Sequence, residues 1–230
     1  MATTSPVILI LGSGPRIGQH VAKAFSAKGY KVALASRSQK KEDSQTDQLH
    51  IAADLSDPHS VKDVFSNVEE RLGLPSVVVY NAAAAIFNSP DDPLAVSLDD
   101  FTRNFSINTT SALVAAQQAA SSFARLPSNS SKTFIYTGNI LNDTPIANLF
   151  DVGVGKTATA YIIRAAATAY SIKGFKFYYA DERKADGTPA YSAVDGDAHG
   201  DFYAGLAGHK TQGPWQQTFV KGIGYKQFPD

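Results

Sequence analysis

The chain has no cysteine, and within its 230 residues it holds one methionine and one tryptophan, Trp215. Without cysteine there is no disulfide scaffold, no Cys-ligated zinc, no iron–sulfur cluster and no thiol nucleophile. Neither sign of charge is in excess: 21 Lys+Arg stand against 21 Asp+Glu. Nucleic-acid proteins usually carry a basic surplus, so the balance argues against such a partner. Long hydrophobic runs are also missing. The longest near the start, Val7–Leu11, reaches at most about 17 Å as a strand, whereas a membrane helix needs about 20 apolar residues. No basic segment precedes that run, and Pro6 stands where a signal peptide would need helix. A cytoplasmic protein with no membrane partner is expected. The five histidines (20, 50, 59, 199 and 209) form no pair at helical zinc-motif spacing, so no metal site is expected.

What is present is alternation. Short apolar or β-branched runs occur at Val7–Leu11, Lys31–Ala35, Gln48–Ala52, Val77–Tyr80, Thr133–Tyr136 and Lys176–Tyr179. Helical patterns lie between them. Ile17–Lys28 puts Ile17, Val21, Ala24 and Phe25 on one face. Pro58–Leu72 follows the capping residue Asp57 and stops at Gly73. Leu98–Arg125 and Val152–Lys173 are long and alanine-rich, and a last strand is expected at Gln217–Lys221. Strands alternating with helices predict an α/β Rossmann-type fold. Its doubly wound parallel sheet, of about seven strands, would carry helices on both faces. No internal repeat or composition break divides the chain, so residues 1–230 read as a single domain. The polar stretch Asp181–Asp197 reads as a long loop within a variable region, 181–215, that would shape a substrate site.

The segment Leu11-Gly12-Ser13-Gly14-Pro15-Arg16-Ile17-Gly18 follows the first strand and opens the first helix. Glycines in that setting permit a tight turn and let backbone N–H groups approach a phosphate at a helix N-terminus. The dinucleotide fingerprint expects a carboxylate at the end of the second strand, to hold the ribose 2′-hydroxyl. That place reads Ala35-Ser36-Arg37-Ser38. A guanidinium there suits a 2′-phosphate, so the expected cofactor is NADP(H) rather than NAD. Arg16, Lys40 and Lys41 extend the same positive patch.

With these residues in place the chain resembles the short-chain dehydrogenase/reductase family along its whole length. The glycine turn matches the family's T-G-x-x-x-G-x-G, with Arg16 for the middle glycine. Asp54-Leu55 looks like the pair that contacts adenine. Tyr80-Asn81-Ala82-Ala83 looks like the N-N-A-G motif, with alanine last. Asn108 lies where the family keeps an active-site asparagine. The resemblance implies Lys156 as the lysine that binds the nicotinamide ribose and Asn139 at the serine position. The same resemblance implies a homodimer or homotetramer packed through the two long helices.

The family's acid/base tyrosine, four residues before the lysine, is Val152 here. Valine cannot move a proton, and acid–base catalysis typically supplies about 10²–10⁴ in rate. Tyr161 is some 140° round the helix from Lys156 and is expected to pack. Thr137, Asn139, Asp143, Tyr191 and Tyr203 remain as substitutes. The family's Pro-Gly after the sixth strand is replaced by Asp181-Glu182-Arg183. Tyr203-Ala204-Gly205-Leu206 and Gly213-Pro214-Trp215 resemble a divergent branch that also carries G-x-G-K. Gly153-Val154-Gly155-Lys156-Thr157 is not a phosphate-binding Walker loop, since Phe150 stands where the first glycine is required.

Three functions follow as expectations. The first is an atypical NADP(H)-dependent reductase acting on a small carbonyl or alcohol, with Asn108, Asn139 and Lys156 as its catalytic residues. The second is an NADP(H)-binding sensor or assembly partner without reductase activity. The third is non-redox dehydration or cyclisation in the same pocket.

Overall fold

The computed structural model describes residues 5–229. The strands are β1 (Val7–Leu11), β2 (Lys31–Ser36), β3 (Gln48–Ala52), β4 (Pro75–Tyr80), β5 (Thr133–Thr137), β6 (Lys176–Arg183), β7 (Gln216–Val220) and β8 (Gly224–Tyr225). The helices are α1 (Gly18–Ser26), α2 (Pro58–Arg71), α3 (Leu98–Phe105), α4 (Ser111–Arg125), α5 (Phe150–Tyr170) and α6 (Gly196–Gly208). The sheet has eight strands in the order β3-β2-β1-β4-β5-β6-β7-β8. All neighbours are parallel except the short β8, which returns antiparallel along β7. About seven strands were expected; the eighth is a two-residue return that leaves no periodic pattern in the sequence.

Every residue of β1 is buried, as a parallel strand covered on both faces requires. Alternate residues feed two cores. Leu9, Leu11, Tyr80, Tyr136 and Tyr179 pack under α2, α4 and α5. Ile8, Ile10, Val79, Ile135 and Tyr178 pack under α1 and α6. Pro58 starts α2 behind Asp57, whose side chain accepts from the His59 N–H at 2.9 Å. Glycine spacing sets how closely α6 lies on α1. A Cβ on Gly200 would stand 2.9 Å from that of Ala24, and one on Gly196 would overlap His20.

Three expectations are corrected. The stretch 181–197 is not one loop: β6 runs on to Arg183 and α6 begins at Gly196. Asp181, Glu182 and Arg183 are polar yet buried in the sheet, because they pair with one another and with nearby groups, which polarity alone conceals. The helix expected over Leu98–Arg125 is interrupted by a π turn at Ser106–Thr110. Tyr161 does not pack; it is 73% exposed.

Candidate cofactor and active site

The glycine turn divides its labour. Gly12 has φ +95°, and a Cβ there would lie 2.8 Å from Ala82 Cα. Asn81 closes against it, donating its side-chain N–H to the Gly12 carbonyl and its backbone N–H to that of Leu11, both at 2.7 Å. A Cβ on Gly18 would lie 2.6 Å from Ser13 Cα, so this glycine lets α1 sit tight on the turn. Gly14 differs: a Cβ there would meet no atom within 4 Å. Ile17 gives α1 no side-chain cap, and the first turn of α1 holds no acidic residue. An open glycine beside an uncapped helix N-terminus fits the diphosphate of a dinucleotide. The Ser13 hydroxyl accepts from Gln39 Nε2 at 2.8 Å. Arg16 donates to the Ser192 carbonyl at 3.2 Å, tying the segment before α6 to the turn.

Past β2, Arg37 is exposed, and Ser36 Oγ sits 3.3 Å from Ser38 Oγ. Asp54 is held below the usual carboxylate range by hydrogen bonds from the Ser56 N–H and hydroxyl, with smaller help from the charges of Arg37 and Arg103. Leu55 is buried, and its carbonyl accepts from the Ser111 hydroxyl at 2.8 Å. Ala83 is exposed just beyond Asn81 and Ala82. These groups border the C-terminal ends of β1–β4, where open α/β sheets bind their ligands. They fit NADP(H): one guanidinium, and no carboxylate at the 2′ position.

The region around Asn108, Asn139 and Lys156 is built on three tyrosines in register across β4, β5 and β6, namely Tyr80, Tyr136 and Tyr179. Their rings stack at 5.8 and 5.6 Å. Each hydroxyl reaches a backbone carbonyl: Tyr80 that of Ile107 at 2.6 Å, Tyr136 that of Asn108 at 2.9 Å, and Tyr179 that of Asn139 at 2.8 Å. The π turn breaks the regular helical ladder where the first two carbonyls are taken up, and such turns often mark functional sites. Thr159 also donates to the Asn108 carbonyl at 2.8 Å. The Asn108 amide pairs with Ala84 in both directions, accepting from its N–H at 3.1 Å and donating to its carbonyl at 2.7 Å. Asn139 caps the following 3-10 turn by accepting from the Leu141 N–H at 3.1 Å, which leaves its NH₂ group as the donor without a partner among the described residues.

Lys156 is buried. Its Nζ donates to the Thr137 carbonyl at 2.9 Å and lies 4.5 Å from the centre of the Tyr136 ring. Burial lowers its pKa to about 7, opposed by the charge of Asp181. Gly155 is required beside it, because a Cβ there would lie 2.7 Å from Asn108 Cβ. Val152 is buried at the start of α5. Of the proposed tyrosine substitutes, Tyr203 is fully buried and donates to Thr137 Oγ1 at 2.9 Å. Burial raises its pKa, so it is not poised to move a proton. Tyr191 is exposed with φ +48°. Asp197 pairs with His20 at 2.7 Å. His199 is buried beside Glu182 at 3.4 Å, and burial lowers its pKa to about 4.

Sequence reasoning missed Asp151. This buried carboxyl accepts from the Ile86 N–H at 3.1 Å, the Val152 N–H at 2.7 Å and the Asn104 amide. It ties the loop after β4 to α3 and α5. The one signal was an acidic residue in the first turn of a helix, which on its own reads as a dipole partner. Residues of the 181–215 region, Arg183 and Trp215 among them, line a cleft of about 880 Å³ together with Ile140 and Asp143. It adjoins Asn139 without including Lys156 or Asn108. At its base Arg183 pairs with Asp181, a buried carboxyl whose pKa burial raises to about 6 despite that partner.

The parallel order β3-β2-β1-β4-β5-β6-β7, with a glycine turn after β1, defines a Rossmann-type α/β fold. The chain belongs to the short-chain dehydrogenase/reductase family. A family model described as enoyl-(acyl carrier protein) reductase matches residues 14–178. The chain is 48% identical over 237 residues to the Short chain dehydrogenase/reductase dmxR12 of Cryptosporiopsis sp., covering 98% of this chain and 96% of that protein. Its fold is that of a 3-oxoacyl-[acyl-carrier protein] reductase from Brucella melitensis, with TM-score 0.77 at 17% identity over 90% of this chain and 91% of that one. It is also that of BdcA in complex with NADPH, with TM-score 0.74 at 20% identity over 99% and 98%. Among the described residues no helix is long and apolar enough to cross a membrane, and no cluster of three or more metal-ligating side chains occurs.

Proposed function

We propose that this chain is an atypical NADP(H)-dependent short-chain dehydrogenase/reductase, a single domain acting on a small carbonyl or alcohol. The observation that carries the reading is the open Gly14 beside the uncapped N-terminus of α1, with Arg37 where an NAD enzyme keeps a carboxylate. Gly12, Ser13, Gly14, Ile17 and Gly18 form the diphosphate turn. Ser36 and Arg37 hold the 2′-phosphate, with Arg16 at the other edge of the turn. Asp54 and Leu55 border the adenine, and Asn81, Ala82 and Ala83 wall the ribose. The bound cofactor supplies or takes the hydride; the protein supplies orientation and charge. The Asn139 NH₂, without a partner among the described residues, is the donor for a substrate oxygen. Lys156 borders the nicotinamide ribose, and Asn108 shapes the loop at Ala84. The exposed Leu113 of α4 and Tyr161 of α5 support pairing of two copies through these helices.

One observation favours a second reading. Val152 has no proton to give, the Lys156 ammonium is held on Thr137, and the Asn108 amide is closed on Ala84. Cofactor binding without turnover fits that arrangement.

Calorimetric titration with NADPH and NADH tests the reading. NADPH is expected to bind at least tenfold tighter, and Arg37→Glu to remove that preference, since charge-assisted hydrogen bonds contribute about 1.5–3 kcal/mol. Equal binding of both nucleotides, or of neither, overturns it. Turnover of a carbonyl substrate that is lost in Lys156→Ala decides against the second reading.

A further inference from the structure

We infer that the cleft beside Asn139 takes an uncharged, hydroxylated aromatic carbonyl compound of two or three rings. The inference rests on the reductase reading for the identity of the site, and on the cleft alone for the chemistry of the ligand.

Three aromatic side chains stand among polar ones in the walls. Trp215, Tyr225 and Phe228 line the cleft, and aromatic faces hold flat ring systems. Trp215 is fixed from behind: its carbonyl accepts from the Tyr179 N–H at 2.8 Å, and its ring stands edge-on to that of Tyr179 at 6.3 Å. Tyr179 is the residue that holds Asn139, so this wall and the proposed oxygen donor share one support. Phe228 is fixed by the turn at Gly187, where a Cβ would come within 2.8 Å of its ring. Lys226 reinforces this by donating to the Ala185 carbonyl at 2.7 Å while lying 4.8 Å from the Phe228 ring centre. A volume of about 880 Å³ is in the range of pockets that enclose drug-sized molecules.

The base of the cleft sets polarity and charge. Arg183 is 8% exposed. Its Nε is held by Asp181 and its Nη1 donates to the Gly187 carbonyl at 3.0 Å. Its Nη2 has no partner among the described residues and is left to donate to a ligand oxygen. Asp181 already balances its charge, and Asp143 and Asp186 line the same cleft. Hydrogen bonds from Thr188 hold Asp186 below the usual carboxylate range, so it is ionised at neutral pH. A carboxylate ligand would meet these two carboxylates in the lining itself, while the nearby lysines, Lys184 and Lys226, are not part of it. A carbonyl suits Arg183 Nη2, and ring hydroxyls suit the two aspartates as acceptors.

Trp215 is the chain's one tryptophan, so its emission reports on this cleft. The probe is 6-hydroxy-1-tetralone, titrated into the full chain with and without saturating NADPH and followed by Trp215 emission and calorimetry. A saturable change is expected, with affinity at least tenfold above that of 4-hydroxycyclohexanone and of 6-hydroxy-2-naphthoate. The double substitution Asp181→Asn/Arg183→Gln keeps the buried pair neutral and is expected to weaken binding at least tenfold. Trp215→Ala, read by calorimetry, is expected to do the same if Arg183 variants fail to fold. No saturable binding, equal affinity for the non-aromatic ketone, or tighter binding of the carboxylate overturns the inference. NADPH affinity is measured separately in each case. A cleft that rejects the tetralone while NADPH binds overturns the ligand class alone, and loss of NADPH binding overturns the reductase reading alone.

Discussion

The Lys156 ammonium lies 4.5 Å from the centre of the Tyr136 ring and donates to the Thr137 carbonyl, so a cation is enclosed between a strand and the helix that carries it. A ring face and one carbonyl do not replace bulk water, and burial lowers the lysine pKa from 10.5 to about 7. Between these values the unfolded chain binds more protons than the folded one, so this site's contribution to stability rises with pH from 7 to 10.5. The burial penalty is complete below pH 7 and gone above 10.5. Lys156→Met removes the titration. Urea unfolding at pH 7 and pH 10 should show the wild type gaining about 4 kcal/mol on the variant, at about 1.36 kcal/mol per pKa unit. An unchanged difference between the two pH values would mean that the lysine is charged throughout.

The two first glycines of the turn should respond oppositely. Gly12→Ala places a Cβ against the Ala82 backbone at φ +95°, and is expected to destabilise the fold by about 1–3 kcal/mol in denaturant melts. Gly14→Ala meets nothing in the protein, so its unfolding midpoint should match the wild type. Its NADPH affinity should nonetheless fall at least tenfold, because the methyl group occupies the diphosphate's approach. Full-strength NADPH binding by Gly14→Ala would refute the proposed cradle.

Asp151 makes a different kind of prediction. Replacing it with asparagine turns an acceptor oxygen into a donor facing Ile86, Val152 and Asn104, all of which already donate. Unsatisfied buried donors cost about 1–3 kcal/mol. Hydrogen exchange should speed up across residues 81–97, while β1 and β4 stay protected. Protection unchanged in that loop would show that Asp151 does not hold it.

Much of the fold was legible because its strands are buried on both faces and therefore apolar throughout. β1, β2 and β4 announce themselves, and the turn at Gly12 follows a strand as a nucleotide turn must. The end of β6 did not show, since Asp181, Glu182 and Arg183 carry the polarity of a loop. They stay in the sheet because Arg183 neutralises Asp181, and Glu182 accepts from the Asp195 N–H at 2.7 Å. The π turn was invisible for a similar reason. Residues 106–110 have ordinary helical composition, and the irregularity is favoured by Tyr80 and Tyr136, hydroxyl donors distant in sequence. Lys156 could be located by its motif, but not its partner: Thr137 is 19 residues away, and only the packing of α5 on β5 joins them.

Gly138 and Tyr179 offer the sharpest test of the tyrosine row. A Cβ on Gly138 would overlap the Tyr179 ring, whose hydroxyl is bracketed by the Asn139 N–H at 3.1 Å and the Asn139 carbonyl at 2.8 Å. Gly138→Ala must therefore displace either the ring or the Asn139 backbone, an overpacking worth about 1–3 kcal/mol. In a Tyr179→Leu background the ring atoms that clash are absent, and the alanine should be accommodated. Unfolding free energies of the two single variants and the double variant should give a coupling of at least about 1 kcal/mol. Tyr179→Phe adds a separate readout. It keeps the ring stacked on Tyr136 but leaves Asn139 unbracketed, so stability should fall by about 1 kcal/mol. Under the reductase reading, kcat should drop while NADPH affinity is unchanged, since the hydroxyl touches only the substrate side. Additive Gly138 and Tyr179 effects would mean that the loop carrying Asn139 is shaped by something other than this ring.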